Sequence, residues 1–167
     1  MGIGFFMGNF KNYINSPIGW LELEATANAL CAVRFKSVEG IASTEIPEIL
    51  NQTRIQLEEY FSGERKEFNL NIEPHGTEFQ QKVWNFVERV KFGTTASYLD
   101  IAKQTGSDKN TRAVGLANGK NPIPIIIPCH RIIGSSGKLT GYAGGIERKR
   151  WLLNHERSHT PSTGRLF

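Results

Sequence analysis

The stretch Ser97–Gly119, "SYLDIAKQTGSDKNTRAVGLANG", decides how the second half of the chain folds. Ser97 and Asp100 stand three residues apart, the spacing of a capping box, with Leu99, Ile101 and Ala102 behind them as an apolar face. Gly106 stops this helix, and "DKNTRAVGLANG" reopens another that closes at Gly119. Two short helices joined by a tight glycine turn make a helix-turn-helix candidate, a unit that many non-binding hairpins share. The second helix has an odd composition: Ala113, Gly115 and Ala117 are small, and Arg112 is its prominent long side chain. Glycine costs helix stability, so small residues here imply close approach to the backbone, by a ligand or by a packed helix.

Charge sharpens this reading. The net charge is only +4, but residues 1–74 carry 6 basic against 10 acidic residues, while 75–157 carry 13 against 6. A basic half beside an acidic one suggests a polyanionic partner for one half, or else a solvated basic face. At 167 residues the chain makes one or two small domains and buries a core without disulfides. Its two cysteines, Cys31 and Cys129, are far apart and give neither a disulfide framework nor a zinc site. No apolar run reaches membrane-spanning length, and "MGIGFFMGNF" lacks the basic start of a signal peptide. A reducing cytosol is the expected location.

Upstream, the first part reads β-β-β-α. "FKNYINS" and "GWLELEA" alternate, "SPIG" turns between them, and "ALCAVRF" is a third strand with Cys31 in its core. A helix is expected from Ile46 to Phe61, with Ile46, Leu50, Leu57 and Phe61 on one stripe. "NLNIEPHG", Asn69–Gly76, reads as a linker, after which Thr77 caps "EFQQKVWNFVERV".

Downstream, "NPIPIIIPCHRIIG", Asn121–Gly134, sets a thiol between runs of isoleucine. "IIIP" reads as a short buried strand ended by Pro128, with Cys129 just past it. A lone buried cysteine is ordinarily an inert small hydrophobe. Here His130 and Arg131 follow directly, and positive neighbours favour the nucleophilic thiolate. Adjacent side chains of an extended chain point apart, so His130 reaches the sulfur only across a local turn or through a water. Its other nitrogen needs an acceptor, and downstream of Asp108 the carboxylates are Glu147 and Glu156. Glu156, ending the helical run "KRWLLNHE", is the favoured one.

With these residues in place, "IPCHRIIGSSGKLTGYAGG" resembles the signature of the methylated-DNA–protein-cysteine methyltransferases, the O6-alkylguanine-DNA alkyltransferases. "SPIG", "AVRF", "QLEEYFSGER", "GTEFQQKVW", "SYLDIA", "TRAVGLANGKNP" and "KRWLLNHE" fall in family order and spacing, through nearly the whole chain. The resemblance implies an α+β fold: a small N-terminal α/β, ribonuclease-H-like domain over 1–74, and a helix-turn-helix, winged-helix-like domain over 75–157. A flexible tail, 158–167, is expected from its composition.

The resemblance also implies roles. Cys129 is the alkyl acceptor, with His130 and Glu156 as a water-linked proton relay and Asn121 bracing the turn. Tyr98 helps rotate the nucleotide and donates a proton to guanine. Arg112 fills the stack the nucleotide leaves, and Thr111, Ala113 and Gly115, with Ala117, suit a helix lying in the minor groove. Tyr142, Ala143, Gly144, Ile132 and Pro124 match walls of the guanine pocket. The expected partner is double-stranded DNA containing O6-alkylguanine, met by a monomer that works once, needs no cofactor and no metal, and touches no membrane. Its location is then cytoplasmic, on the nucleoid when bound to DNA, or nuclear in a eukaryote. Lys91 and Asp108 stand where many relatives have proline, and Asn110 and Thr111 where they have smaller residues. Two rivals remain: a non-catalytic lesion-binding protein, and a Cys–His hydrolase, which the direct adjacency of Cys129 and His130 suits poorly.

Overall fold

A computed structural model describes residues 10–161 of the chain. The opening segment read against a signal peptide (1–9) and most of the expected tail (162–167) lie outside the described residues. Strands β1 (Phe10–Ser16), β2 (Gly19–Ala25) and β3 (Leu30–Lys36) form an antiparallel sheet in the order β1-β2-β3. The turn between β1 and β2 closes at Gly19, whose φ of 104° is left-handed. The alternation of β2 is real, but its polar face is not solvated. Glu22 and Glu24 are buried because Arg34 reaches both carboxylates at 2.8 Å and Tyr13 donates to Glu22 at 2.6 Å.

Helix α1 (Glu48–Phe61) packs on this sheet. It begins two residues later than the pattern predicts, because Pro47 occupies the N-cap and biases Ile46 to an extended conformation. Its buried stripe is Ile49, Leu50, Thr53, Leu57 and Tyr60, while Ile46 and Phe61 are half-buried flanks. Full burial of an aliphatic side chain such as Leu50 or Leu57 is worth roughly 1.5–3 kcal/mol. The expected linker is partly pinned: Leu30 N donates to Asn71 O, and Glu73 N donates to Leu30 O.

The second part contains α2 (Glu78–Glu88), β4 (Ala96–Ser97), α3 (Tyr98–Gln104), α4 (Thr111–Gly119), β5 (Ile132–Ile133) and α5 (Ile146–Ser158). Thr77 caps α2 and Ser97 caps α3, each in a complete capping box, with Gln80 and Asp100 as the reciprocal partners. α3 and α4 form the helix-turn-helix, joined through Gly106 and a 3-10 turn at Asp108–Asn110. Ala117 faces inward, not outward: it is buried, and its carbonyl accepts from Trp84 Nε1 at 2.9 Å. Packing against α2 therefore explains its small side chain, and it is removed from the groove-facing set. One apolar cluster runs from Leu21, Leu50 and Tyr60 through Trp84, Ile101 and Val114 to Ile127 and Leu152.

The expected "IIIP" strand does not form. Residues 121–128 are an irregular buried loop with a single bridge between Pro124 and Ile127. Three prolines break any ladder, and Ile125 takes a left-handed φ of 75°. The loop instead docks on the first sheet, where Val33 N donates to Pro122 O at 3.0 Å. Continuous hydrophobicity reports burial on all sides here, not strand geometry.

Candidate active site

The loop delivers Cys129, His130 and Arg131 into one buried turn of 3-10 helix, Cys129–Arg131. Asn121 brackets the loop from within: its Oδ1 accepts from Ile123 N at 2.9 Å and its Nδ2 donates to Ile127 O at 2.8 Å. The bracket has strain to hold, since a left-handed β-branched residue such as Ile125 costs about 1–2 kcal/mol. From the last turn of α4, Asn118 donates Nδ2 to the Cys129 carbonyl at 3.2 Å.

Cys129 is 5% exposed, and burial pushes its thiol up to about 11, against downward pulls from the Asn121 side chain and the Lys149 charge. The expectation that His130 and Arg131 favour a resting thiolate therefore fails. Burial lowers the His130 pKa and keeps the ring neutral despite Glu156, and Arg131 is turned onto Glu156 and neutralised there. At rest the group is therefore the thiol, not the thiolate.

Glu156 on α5 is the carboxylate that meets His130. It is 1% exposed and takes five donors: His130 Nε2 at 2.6 Å, Arg131 Nε and Nη2 at 2.8 and 3.0 Å, Tyr60 Oη at 2.7 Å and Gly93 N at 3.2 Å. Burial works against its ionisation, but the contacts with His130 and Arg131 outweigh it and hold the carboxyl well below the usual range. An ionised carboxylate only accepts, so His130 Nε2 carries the proton and Nδ1 is a free base. Glu147, the other candidate, is exposed and pairs with Arg150.

The remaining sequence-predicted residues fall in two groups. Tyr98 opens α3 and donates its hydroxyl to Thr140 O at 3.0 Å. Tyr142 is buried edge-on to Phe35, with ring centroids 5.9 Å apart. A side chain on Gly144 would come within 2.8 Å of both those rings, so only glycine fits. Ala143 is exposed, Ile132 is buried under the turn, and Pro124 is buried inside the loop. Arg112 and Ala113 lie exposed on α4, Thr111 is half-buried there, and Gly115 faces the Tyr98 ring. A cavity of about 290 Å³ lies on the far side of Glu156, lined also by Thr95, Ile133 and Leu153 but not by Cys129, His130 or Tyr142.

Sequence reasoning missed several residues that the structure brings here. Arg131 and Tyr60 hold Glu156. Lys149 is buried, donates to Ile132 O at 2.6 Å and Thr140 O at 2.9 Å, and is lowered to about 8 by burial. Arg148 ties the Gly144 carbonyl to Ile18 O of the β1–β2 turn, at 3.0 and 2.8 Å, and lies over the Phe35 ring. Lys149 lies in the charged run "IERKR", three residues from both Ile146 and buried Leu152, and that helical spacing was the available signal for it.

Three buried polar atoms around the thiol have no hydrogen-bond partner among the described residues: Asn118 Oδ1, His130 Nδ1 and Tyr142 Oη. Each such atom costs about 1–3 kcal/mol. All three belong to the turn that carries Cys129 or lie against it.

Both parts of the chain match one known protein family. Residues 9–74 match the ribonuclease-like domain of 6-O-methylguanine DNA methyltransferase, and residues 78–158 match its DNA binding domain. The methylated-DNA–protein-cysteine methyltransferase of Mycolicibacterium paratuberculosis is 45% identical over 158 residues, covering 92% of this chain and 96% of the relative. That of Methanosarcina acetivorans is 46% identical over 86% of this chain and 95% of its own. The crystal structure of Mycobacterium tuberculosis OGT in complex with DNA superposes with a TM-score of 0.81 at 46% identity, covering 91% of this chain and 95% of that one. The chain belongs to the 6-O-methylguanine DNA methyltransferase family.

Proposed function

We propose that Cys129 accepts the alkyl group of O6-alkylguanine from duplex DNA, once per molecule, after the damaged nucleotide has turned out of the stack. Repair of DNA by alkyl transfer to a protein cysteine is the activity for which the relatives are named, and DNA is bound in the structure of one of them. The observation that carries the reading is the buried Cys129 thiol joined through one turn to neutral His130 and ionised Glu156.

The damaged oxygen lies inside stacked bases, so extrusion comes first, at a cost of a few kcal/mol. Exposed Arg112 fills the gap from α4, with Thr111, Ala113 and Gly115 against the minor groove and Tyr98 beside them. The base enters between Tyr98 and the loop carrying Tyr142, Ala143 and Gly144, over Ile132 and Pro124. Entry brings the alkyl carbon to the thiol while a water carries the thiol proton to His130 Nδ1, and Glu156 stabilises the imidazolium. The sulfur–carbon bond forms as the carbon–oxygen bond breaks. The proton lost by the thiol balances the one guanine gains, and Tyr98, kept protonated by burial, is the donor nearest the base. A thioether does not hydrolyse, so the protein is consumed.

In this reading residues 1–74 form the ribonuclease-like domain, 75–157 the DNA-binding domain, and the protein acts as a cytoplasmic monomer. No helix among the described residues is long and apolar enough to cross a membrane. Cys129→Ala tests the assignment: transfer should vanish while affinity for DNA persists, and retained transfer would refute it. A hydrolase reading fares worse because the relatives are named for transfer to a protein cysteine, not for hydrolysis.

A further inference from the structure

Asn118 belongs to none of the roles above. It sits in the last turn of α4, 2% exposed, with its side chain against the cysteine turn. Its amide orientation is fixed by chemistry: the group that meets the Cys129 carbonyl must be the donor, so Nδ2 is there and Oδ1 is the free acceptor. Oδ1 has no partner among the described residues. The same side chain acts on the Tyr98 hydroxyl, which places it beside the ring expected to line the base's entry.

A buried acceptor without a partner favours a ligand that brings it an N–H. Alkylation at O6 leaves N1 of guanine without its proton, so the 2-amino group is the only N–H donor left on the base. O4-alkylthymine, whose N3 loses its proton in the same way, has none. Building on the function proposed above, we infer that Asn118 Oδ1 is a substrate-binding acceptor for the 2-amino group of the flipped O6-alkylguanine, and that it disfavours bases lacking such a donor. Sites that hydrogen-bond a substrate group reject analogues without it because their own buried polar atoms stay unpaired. The neighbouring donor bond to Cys129 O couples recognition to the nucleophile: the amide that reads the base also holds the turn that presents the sulfur.

The test compares single-turnover transfer from duplexes holding O6-methylguanine or O6-methylhypoxanthine, identical except for the 2-amino group. Wild-type protein should react at least about tenfold faster with the guanine. In Asn118→Leu, of nearly equal volume, that ratio should collapse toward one, through slower reaction with guanine more than through faster reaction with hypoxanthine. O4-methylthymine should move with the hypoxanthine. A wild-type ratio near one overturns the inference without any variant, and so does an unchanged ratio in folded Asn118→Leu. Either result leaves transfer to Cys129 standing, whereas absence of any methyl on Cys129 defeats the function itself.

Discussion

Tyr60 of α1 donates its hydroxyl to Glu156 of α5 at 2.7 Å, across 96 residues of chain and the boundary between the two matched domains. The first half of the protein therefore helps hold the carboxylate that orients His130. Tyr60 is fully buried, and burial together with the Glu156 charge raises its pKa well above the ordinary range, so it remains a donor. Removing it in Tyr60→Phe should cost about 1.5–3 kcal/mol, the range for hydrogen bonds to charged groups. Urea unfolding of Tyr60→Phe, Glu156→Gln and the double variant should show non-additive losses; strict additivity would deny the coupling.

Glu156 should also shape acid stability. Its folded pKa lies below the ordinary 4.5, so its ionised form stabilises the fold at and above that pH, and the contribution disappears as pH falls further. Glu156→Gln should be less stable than wild type at neutral pH, with the gap closing between about pH 4.5 and 2. A gap that stays constant across that window would contradict the assignment of Glu156 as the ionised partner of Arg131.

The resting thiol gives a second pH signature. With Cys129 near 11, its alkylation by a small reagent such as iodoacetamide should rise about tenfold per pH unit from neutrality toward that value. Reaction with methylated DNA should be fast at neutral pH, because the relay acts only with substrate present. A plateau near pH 7 in the reagent profile would show a preformed thiolate.

Asn121→Ala would leave Ile123 N and Ile127 O without partners inside a buried loop. A loss of roughly 2–4 kcal/mol is expected from two unsatisfied groups and the released constraint on Ile125. Thermal unfolding measures it, and a change under 0.5 kcal/mol would mean the loop holds its shape without the bracket.

Arg112→Ala should slow repair of duplex DNA far more than reaction with free O6-benzylguanine, since the arginine is exposed on α4 away from the buried thiol. Equal losses on the two substrates would remove the stacking role.

Locally encoded features were legible in the sequence. The boxes at Thr77 and Ser97, the stop at Gly106 and the three strands follow from residues within a few positions of each other. The loop before Cys129 was not, because isoleucines buried from all sides look alike in a strand and in a bracketed turn. Glu156 was legible as one of two downstream carboxylates, but Tyr60 was not, since nothing near it in sequence announces a partner so distant. The pull of Arg131 was misjudged for the same reason: its charge belongs to a partner 25 residues away, not to the adjacent thiol. Asn118 lies inside the block "TRAVGLANGKNP" without any role following from that, and only its unpaired oxygen reveals it.

The most direct measurement is the intact mass of the protein after incubation with excess O6-methylguanine duplex, followed by mapping of the peptide that contains residue 129. One methyl group per molecule, on the Cys129 sulfur, with repaired DNA equal in amount to protein, is the predicted result. Repaired DNA in large excess over protein, with the Cys129 peptide unmodified, would contradict the account.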